Sequence, residues 1–570
     1  MNRKQRRAGL KQTSPAGGEQ SAAQVFADAL RYQQDNKLDE AARAYKRVLL
    51  LKPDHAEACN NLAGVLQIQG KFGEASKYFA RALELAPELS NQFSAILATL
   101  VTILPTLGEL IQRVNKRWPE RPPLHQLISD DAFHAIAADP LLLTILRSSP
   151  VLDVALEHAL TVLRAGLLEI AASGASTEEP ALAFSCSLAR QCFVNEYVFA
   201  TTPAEEAQVE QLKNNLGDLS PMQLAALAMY LPLHALPDAQ VLLARAWPDD
   251  VDEVVTQQVR EPEDERALRA SIQQLTPIED KISRRVREMY EENPYPRWVH
   301  VAIPGALVPI DIYLRGLFPS AAFTPLGKTE GLDLLVAGCG TGKQPIAATQ
   351  LQGARILAID LSLASLAYAK RKTPASLAAR IDYRQADILK LATLNRTFDV
   401  IDAAGVLHHL ADPFAGWRTL LALLRPNGFM HLGFYSEIAR QDVVAARTLI
   451  AEWGYGTTAA EIRRCRQDLL GTALASLARF HDFFTTSECR DLLFHVQESR
   501  TTIPSVKAFL SEQGLKFIGF EFIQPVLRGY RALFVEQGWS MSDLDRWHEF
   551  EIKYPDTFSG MYQFWVQKTA

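Results

Sequence analysis

The stretch LDLLVAGCGTGKQPIAATQLQGARILAID, residues 332–360, decides the fold. An apolar run, LDLLVA, ends in Gly338, Cys339, Gly340, Thr341 and Gly342; a helix-like segment with IAATQLQ follows, and a second run, ARILAID, ends in Asp360. Strand, glycine turn, helix and strand are the parts of a βα unit in a mainly parallel sheet. Glycines belong at that turn because the backbone must approach a bulky ligand without side chains in the way. Three nucleotide-site readings compete for it. A P-loop wants a glycine where Ala337 stands and Ser or Thr where Gln344 stands, and the dinucleotide fingerprint wants a third glycine at Lys343. What stands is GxGxG.

Outward from this unit the strand-like runs continue. IDYRQADIL carries Asp387 next to Ile388, FDVIDAAGVLHHLADP spans Phe398 to Pro413, and LRPNGFMHLGFYS runs from Leu424 to Ser436. LKFIGFEF (Leu515 to Phe522) and GMYQFWVQ (Gly560 to Gln567) complete the set. The GxGxG turn resembles the first motif of class I methyltransferases, and the family's other motifs follow in order. The resemblance implies a Rossmann-like, seven-stranded α/β domain over residues 276–570 that binds S-adenosyl-L-methionine, with insertions at 437–505 and 523–558. It also implies cofactor contacts. Gly338, Cys339, Gly340 and Gly342 form the glycine turn, Asp360 accepts the ribose hydroxyls with Leu361 beside it, Asp387 holds the adenine amino group, Ile388 packs on the ring, and Gly405 lies in the loop after the fourth strand.

One position departs from the family. Val336, two residues before Gly338, stands where an acid often helps hold the cofactor's amino-acid end. The segment VREMYEENPYPRWVH offers a compensator: Tyr295 and Arg297 are expected to fold over the methionine moiety, Arg297 pairing with its carboxylate. The plain alternative makes NPYP a rigid linker and Arg297 a surface charge.

Toward the N-terminus, Ala41 matches Ala75, Tyr45 matches Phe79, Leu51 matches Leu85 and Pro53 matches Pro87, all in one register of 34 residues. This resembles the tetratricopeptide repeat, with two units over residues 21–90. About three such units are normally needed to bury a core. Residues 91–275 then read as helix after helix, taken as an all-α extension of the array. Repeats of this kind bind a peptide or protein partner, or serve as scaffold or dimerisation pieces, giving a homodimer. The whole chain resembles the bacterial group of tetratricopeptide-containing class I methyltransferases.

Composition adds exclusions. At 570 residues two or three domains are expected, and a net charge of −6 gives no whole-chain reason to bind nucleic acid. Six cysteines without a CxxC pair fit a reducing cytoplasm rather than a disulfide framework or zinc site. The basic opening MNRKQRRAGLK lacks the apolar run of a secretory signal, and residues 1–20 read as a disordered tail. The charge-free stretch from Leu89 to Gly108 contains Ser90, Asn91, Gln92 and Pro105, too broken for a membrane span, and reads as a buried core helix.

Methyl transfer from a sulfonium is an in-line displacement, so alignment and exclusion of water matter more than any obligatory side chain. Where the acceptor needs a base, His408 and His409 are nearest, followed by His481 and His495; the plain alternative is that the His408–His409 pair caps or lines the loop. No metal is expected, because two adjacent histidines without a nearby acid or third ligand make a poor site. The expected function is a methyltransferase whose helical half recruits or orients a protein acceptor. Its rivals are a non-catalytic interaction protein, and a small-molecule or glycan-precursor methyltransferase whose repeats dimerise it.

Overall fold

The computed structural model describes residues 21–174, 179–214 and 216–569, so the basic tail expected over 1–20 lies outside the described residues. The described chain divides into two compact units.

The first unit runs through Pro105 and includes Asp139–Ile145. Its helices Ala22–Gln34, Leu38–Leu51, Ala56–Ile68 and Phe72–Leu85 are two helical hairpins. The small residues of the repeat, Ala29, Ala41, Ala63 and Ala75, are fully buried where helices meet, and Tyr45 donates to Gln33 Oε1 at 2.6 Å. Ser76 donates to Asp139 Oδ2 at 2.8 Å, which ties the returning segment to the second hairpin. The charge-free stretch is not one core helix: a helix ends at Ile103, another begins at Pro105, and only Phe93, Leu100 and Ile103 of Phe93–Ile103 are buried. Leu104 marks the break because proline cannot supply the next backbone donor. Among the described residues no single helix is long and apolar enough to cross a membrane.

The second unit holds Thr106–Ala138 and everything from Leu146 onward. The helices read as an extension of the repeats are thus, past residue 145, in the same compact unit as the sheet. Val154–Ser173 and Glu179–Val194 are buried along most of their length, which an amphipathic surface helix would not be. Gln258, in a π-helical turn at Thr256–Arg260, is buried and satisfied on both sides. It donates to the carbonyls of Ala189 (3.2 Å) and Ala228 (3.1 Å) and accepts from Tyr197 (3.1 Å).

The sheet comprises β1 (Leu332–Ala337), β2 (Ala354–Asp360), β3 (Ile381–Gln385), β4 (Phe398–Ala403), β5 (Leu424–Ser436), β6 (Arg500–Thr501), β7 (Leu515–Phe520) and β8 (Tyr562–Lys568). Its order is β3-β2-β1-β4-β5-β8-β7, with β6 paired to β5 off this path. The first five strands are parallel, and β8 runs antiparallel between β5 and β7. Seven strands match the class I methyltransferase fold; the eighth, β6, is a two-residue addition. All six residues of β1 are buried, as a central parallel strand covered on both faces must be. The order reverses between β2 and β4 around β1, which opens a crevice at the carboxyl ends of these strands.

The two insertions behave differently. Gln524–Leu533 and Leu544–Lys553 stack Tyr530 on Trp547 at 3.8 Å within the apolar core on one face of the sheet. Gln441–Trp453, Ala459–Leu470 and Thr486–Phe494 form their own core, against which Leu152 and Val154 of the helical segment pack.

Candidate functional site

The glycine turn after β1 is built for close approach. Gly338 has φ +72°, and a Cβ there would lie 2.4 Å from Val406; Gly340 has φ +48°, and a Cβ would lie 2.6 Å from the carbonyl oxygen of Tyr295. Neither position accepts a side chain. The NPYPRW segment is clamped onto the turn: Trp298 Nε1 donates to both the carbonyl and the hydroxyl of Thr341 at 3.1 Å, and Thr341 in turn donates to the carbonyl of Pro296.

A cavity of about 330 Å³ opens at these strand ends, bordered by Gly338, Cys339, Gly340, Asp360, Leu361, Asp387, Ile388, Gly405 and Tyr295 among others. Two expected contacts lie elsewhere. Gly342 faces the helix Leu363–Lys372, where a Cβ would meet Ala369 at 2.7 Å, so it serves packing rather than the cavity. Arg297 turns away: its Nε lies 3.5 Å from Glu196 Oε1 and its guanidinium stands 4.7 Å over the Phe193 ring, bordering a separate, charged cavity. The helical segment supplies both partners, which the sequence around Arg297 gives no hint of. Lys343 is the one lysine or arginine that borders the first cavity among the described residues. Val336 is buried in the core beneath the sheet.

The carboxylates at β2 and β3 are poised differently. Asp360 Oδ2 accepts from the Gly340 amide and Oδ1 from the Ser362 amide, both at 2.9 Å, which only partly counters the burial that raises its pKa. Asp387 Oδ1 accepts from Leu389 N at 3.0 Å, capping the turn that follows. Asp387 Oδ2 is buried with no hydrogen-bond partner, although the residue borders the cavity. A buried acceptor left open costs stability unless a ligand fills it. An exocyclic amino group is one donor such an atom can take, so the residues fit an adenine nucleoside. S-adenosyl-L-methionine supplies the rest of that shape and an activated methyl group.

A second constellation comes from the first insertion. His409 borders the cavity, and folding brings Asp491 and His495 beside it. Asp491 Oδ1 accepts from Tyr290 at 2.6 Å and lies 3.7 Å from His409 Nε2 and 3.9 Å from His495 Nε2. The rings of His409 and His495 stack with centroids 3.7 Å apart. Gln497 fixes both tautomers. Its carbonyl lies 3.2 Å from His409 Nδ1, which must donate to it, and its amide donates to His495 Nδ1 at 3.0 Å. The hydrogen of neutral His495 therefore sits on Nε2, and burial together with His409 holds its pKa far down. His408 does not border the cavity; it is buried, its Nε2 is 3.1 Å from His409 Nε2, and burial pushes its pKa well down. The ground for expecting no metal thus fails in part, because an acid and a third nitrogen do converge on His409. His495 nevertheless offers a hydrogen rather than a lone pair, the reverse of a metal-bound imidazole.

Sequence spacing could not place Tyr290 and Asp491 together, since 201 positions separate them. Tyr435, at the end of β5, also borders the cavity, and Arg440 stands 3.7 Å over its ring while pairing with Glu498 at 2.6 Å. Deeper in the insertion, burial raises the carboxyls of Asp482 and Glu488, the latter to about 8.

Comparison with known proteins agrees with the architecture. Residues 335–432 match the methyltransferase domain family and residues 32–100 the tetratricopeptide repeat family. An uncharacterised protein of Synechococcus sp. is 34% identical over 177 residues, covering 30% of this chain and 42% of that protein. A ubiquinone biosynthesis O-methyltransferase of Methylocella silvestris is 40% identical over 103 residues, covering 18% of this chain and 39% of that enzyme. The chain thus spans less than half the length of these curated relatives. The structure of PKMT2 from Rickettsia typhi in complex with AdoHcy aligns with 47% of this chain and 55% of its own at 16% identity and a TM-score of 0.36.

Proposed function

We propose that this chain, in which a class I methyltransferase domain is joined to tetratricopeptide repeats, is an S-adenosyl-L-methionine-dependent methyltransferase whose repeats recruit or orient a protein acceptor. The observation that carries the cofactor is the open Oδ2 of Asp387, buried at the edge of a cavity whose glycine turn admits no side chain. In this reading Asp360 accepts the ribose hydroxyls, Ile388 flanks the adenine, and Lys343 takes the role expected of Arg297 toward the carboxylate. The chain's own work is to bind, align and exclude water. His409 stands where a proton leaving the acceptor can be received.

The protein acceptor rests on the repeats, whose usual use is to hold a polypeptide. A small-molecule acceptor is the second reading, favoured by the ubiquinone biosynthesis relative. Incubating the protein with methyl-labelled S-adenosyl-L-methionine and cell extract separates them. Label in the polypeptide fraction supports the first; label only in the small-molecule or lipid fraction supports the second.

A further inference from the structure

Asp491 is 2% exposed and borders the cavity, yet its only neighbours at ion-pair distance among the described residues are two imidazoles. One of them, His495, is held neutral, with an Nε2 that has no hydrogen-bond partner. Arg440 acts on Asp491 only through space, because it pairs with Glu498 and stands over the ring of Tyr435. A buried carboxylate without a fixed cation is costly, and a ligand that brings one removes the cost.

The walls suit such a ligand. Tyr290 and Tyr295, both bordering the cavity, stack with centroids 5.8 Å apart. Aromatic faces attract a desolvated cation. The hydrogen bond from Tyr290 uses one lone pair of Asp491, whereas a carboxylate accepts about four hydrogen bonds. Three N–H groups of a primary ammonium can use that spare capacity; a hydroxyl brings one hydrogen and no charge.

We propose that Asp491 with Tyr290 and Tyr295 forms a binding site for a protonated primary amine, the side chain of a lysine in a polypeptide. This names the substrate class of the proposed methyltransferase and rests on that reading. A metal ion is the rival occupant of the same cluster. It would need a lone pair at His495 Nε2, and therefore a hydrogen on Nδ1, where the Gln497 amide already points.

The test uses the full chain saturated with S-adenosylhomocysteine and two peptides, acetyl-Ala-Lys-Ala-amide and its norleucine isostere, titrated calorimetrically. The lysine peptide is expected to bind at least about tenfold more tightly, the worth of a charge-assisted hydrogen bond. Asp491→Asn abolishes that preference while leaving S-adenosylhomocysteine affinity within about twofold. Equal affinities, or no binding of the lysine peptide to the loaded wild-type protein, overturn the proposal without any appeal to a variant. Stoichiometric uptake of Zn²⁺ alone, lost in His495→Ala, also overturns it and gives the cluster to a metal. Failure to bind S-adenosylhomocysteine in the first place removes the underlying methyltransferase reading instead.

Discussion

Replacing Arg466 by Met should destabilise the second unit by about 3–5 kcal/mol, the cost of leaving one member of a buried ion pair uncompensated. Arg466 belongs to the first insertion and Glu157 to the helical segment; both side chains are at most 2% exposed. Two parallel hydrogen bonds of 3.1 and 3.0 Å join them. The guanidinium also donates to the carbonyls of Phe483 (2.6 Å) and Val198 (3.2 Å), so all three of its nitrogens are used. Methionine fills much of the same volume and supplies no donor, which leaves the Glu157 carboxylate buried without its partner. With an unfolding entropy near 2.1 cal/mol/K per residue over roughly 460 residues, each kcal/mol moves the melting temperature by about 1 °C, so a drop of about 3–5 °C is expected. Differential scanning calorimetry reads it. The double variant Glu157→Leu with Arg466→Met should recover most of the loss, because no charge is then left buried. A single-variant loss below about 1 kcal/mol, or a double variant no more stable than the single, would show that the pair does not join helical segment and insertion as argued.

Arg297→Ala should leave S-adenosylhomocysteine affinity unchanged within about twofold, because the guanidinium pairs with Glu196; a loss of about tenfold in calorimetric titration would return Arg297 to the cofactor. Gly340→Ala puts a Cβ 2.6 Å from the Tyr295 carbonyl at a positive φ, and should cost about 1–3 kcal/mol of stability by chemical denaturation; a neutral result would refute the close approach. The Glu488 carboxyl, raised by burial and by Asp482 to about 8 in the folded chain from an ordinary 4.5, binds its proton more tightly folded than unfolded. Its contribution to stability is therefore full below about pH 4.5 and declines as pH rises toward 8. Glu488→Gln should flatten the fall in melting temperature over that window, and an unchanged slope would contradict the burial.

The glycine turn, Asp360 and Asp387 were legible because they lie within a few residues of strand ends, where local spacing fixes their place in a parallel sheet. Tyr290 and Asp491 were not, and His495 stood only as a remote candidate base, since an insertion carries Asp491 and His495 back over a strand end and no periodicity records that return. Arg297 misled for the opposite reason. Its neighbours in sequence reach the glycine turn, but its own side chain follows Glu196, a partner fixed only by tertiary packing. The helices past residue 145 announce apolar faces without saying what covers them, and the periodicity of Val154–Ser173 fits an extension of the repeats as well as it fits packing with the insertion. Strand β6, two residues long, is below the length at which alternation can be read.

The central claim is that the cavity at the ends of β1, β2 and β3 holds S-adenosyl-L-methionine through Asp360 and Asp387. Calorimetric titration of the full chain with S-adenosylhomocysteine, beside Asp360→Ala and Asp387→Asn, tests it most directly. Asp387→Asn can keep the cap at Leu389 while turning an amide donor toward the adenine amino group, a mismatch of about 1–3 kcal/mol. One site per chain with micromolar affinity is expected in the wild type, lost in Asp360→Ala and weakened at least about tenfold in Asp387→Asn. No binding by the folded wild type, or undiminished affinity in both variants, would contradict it.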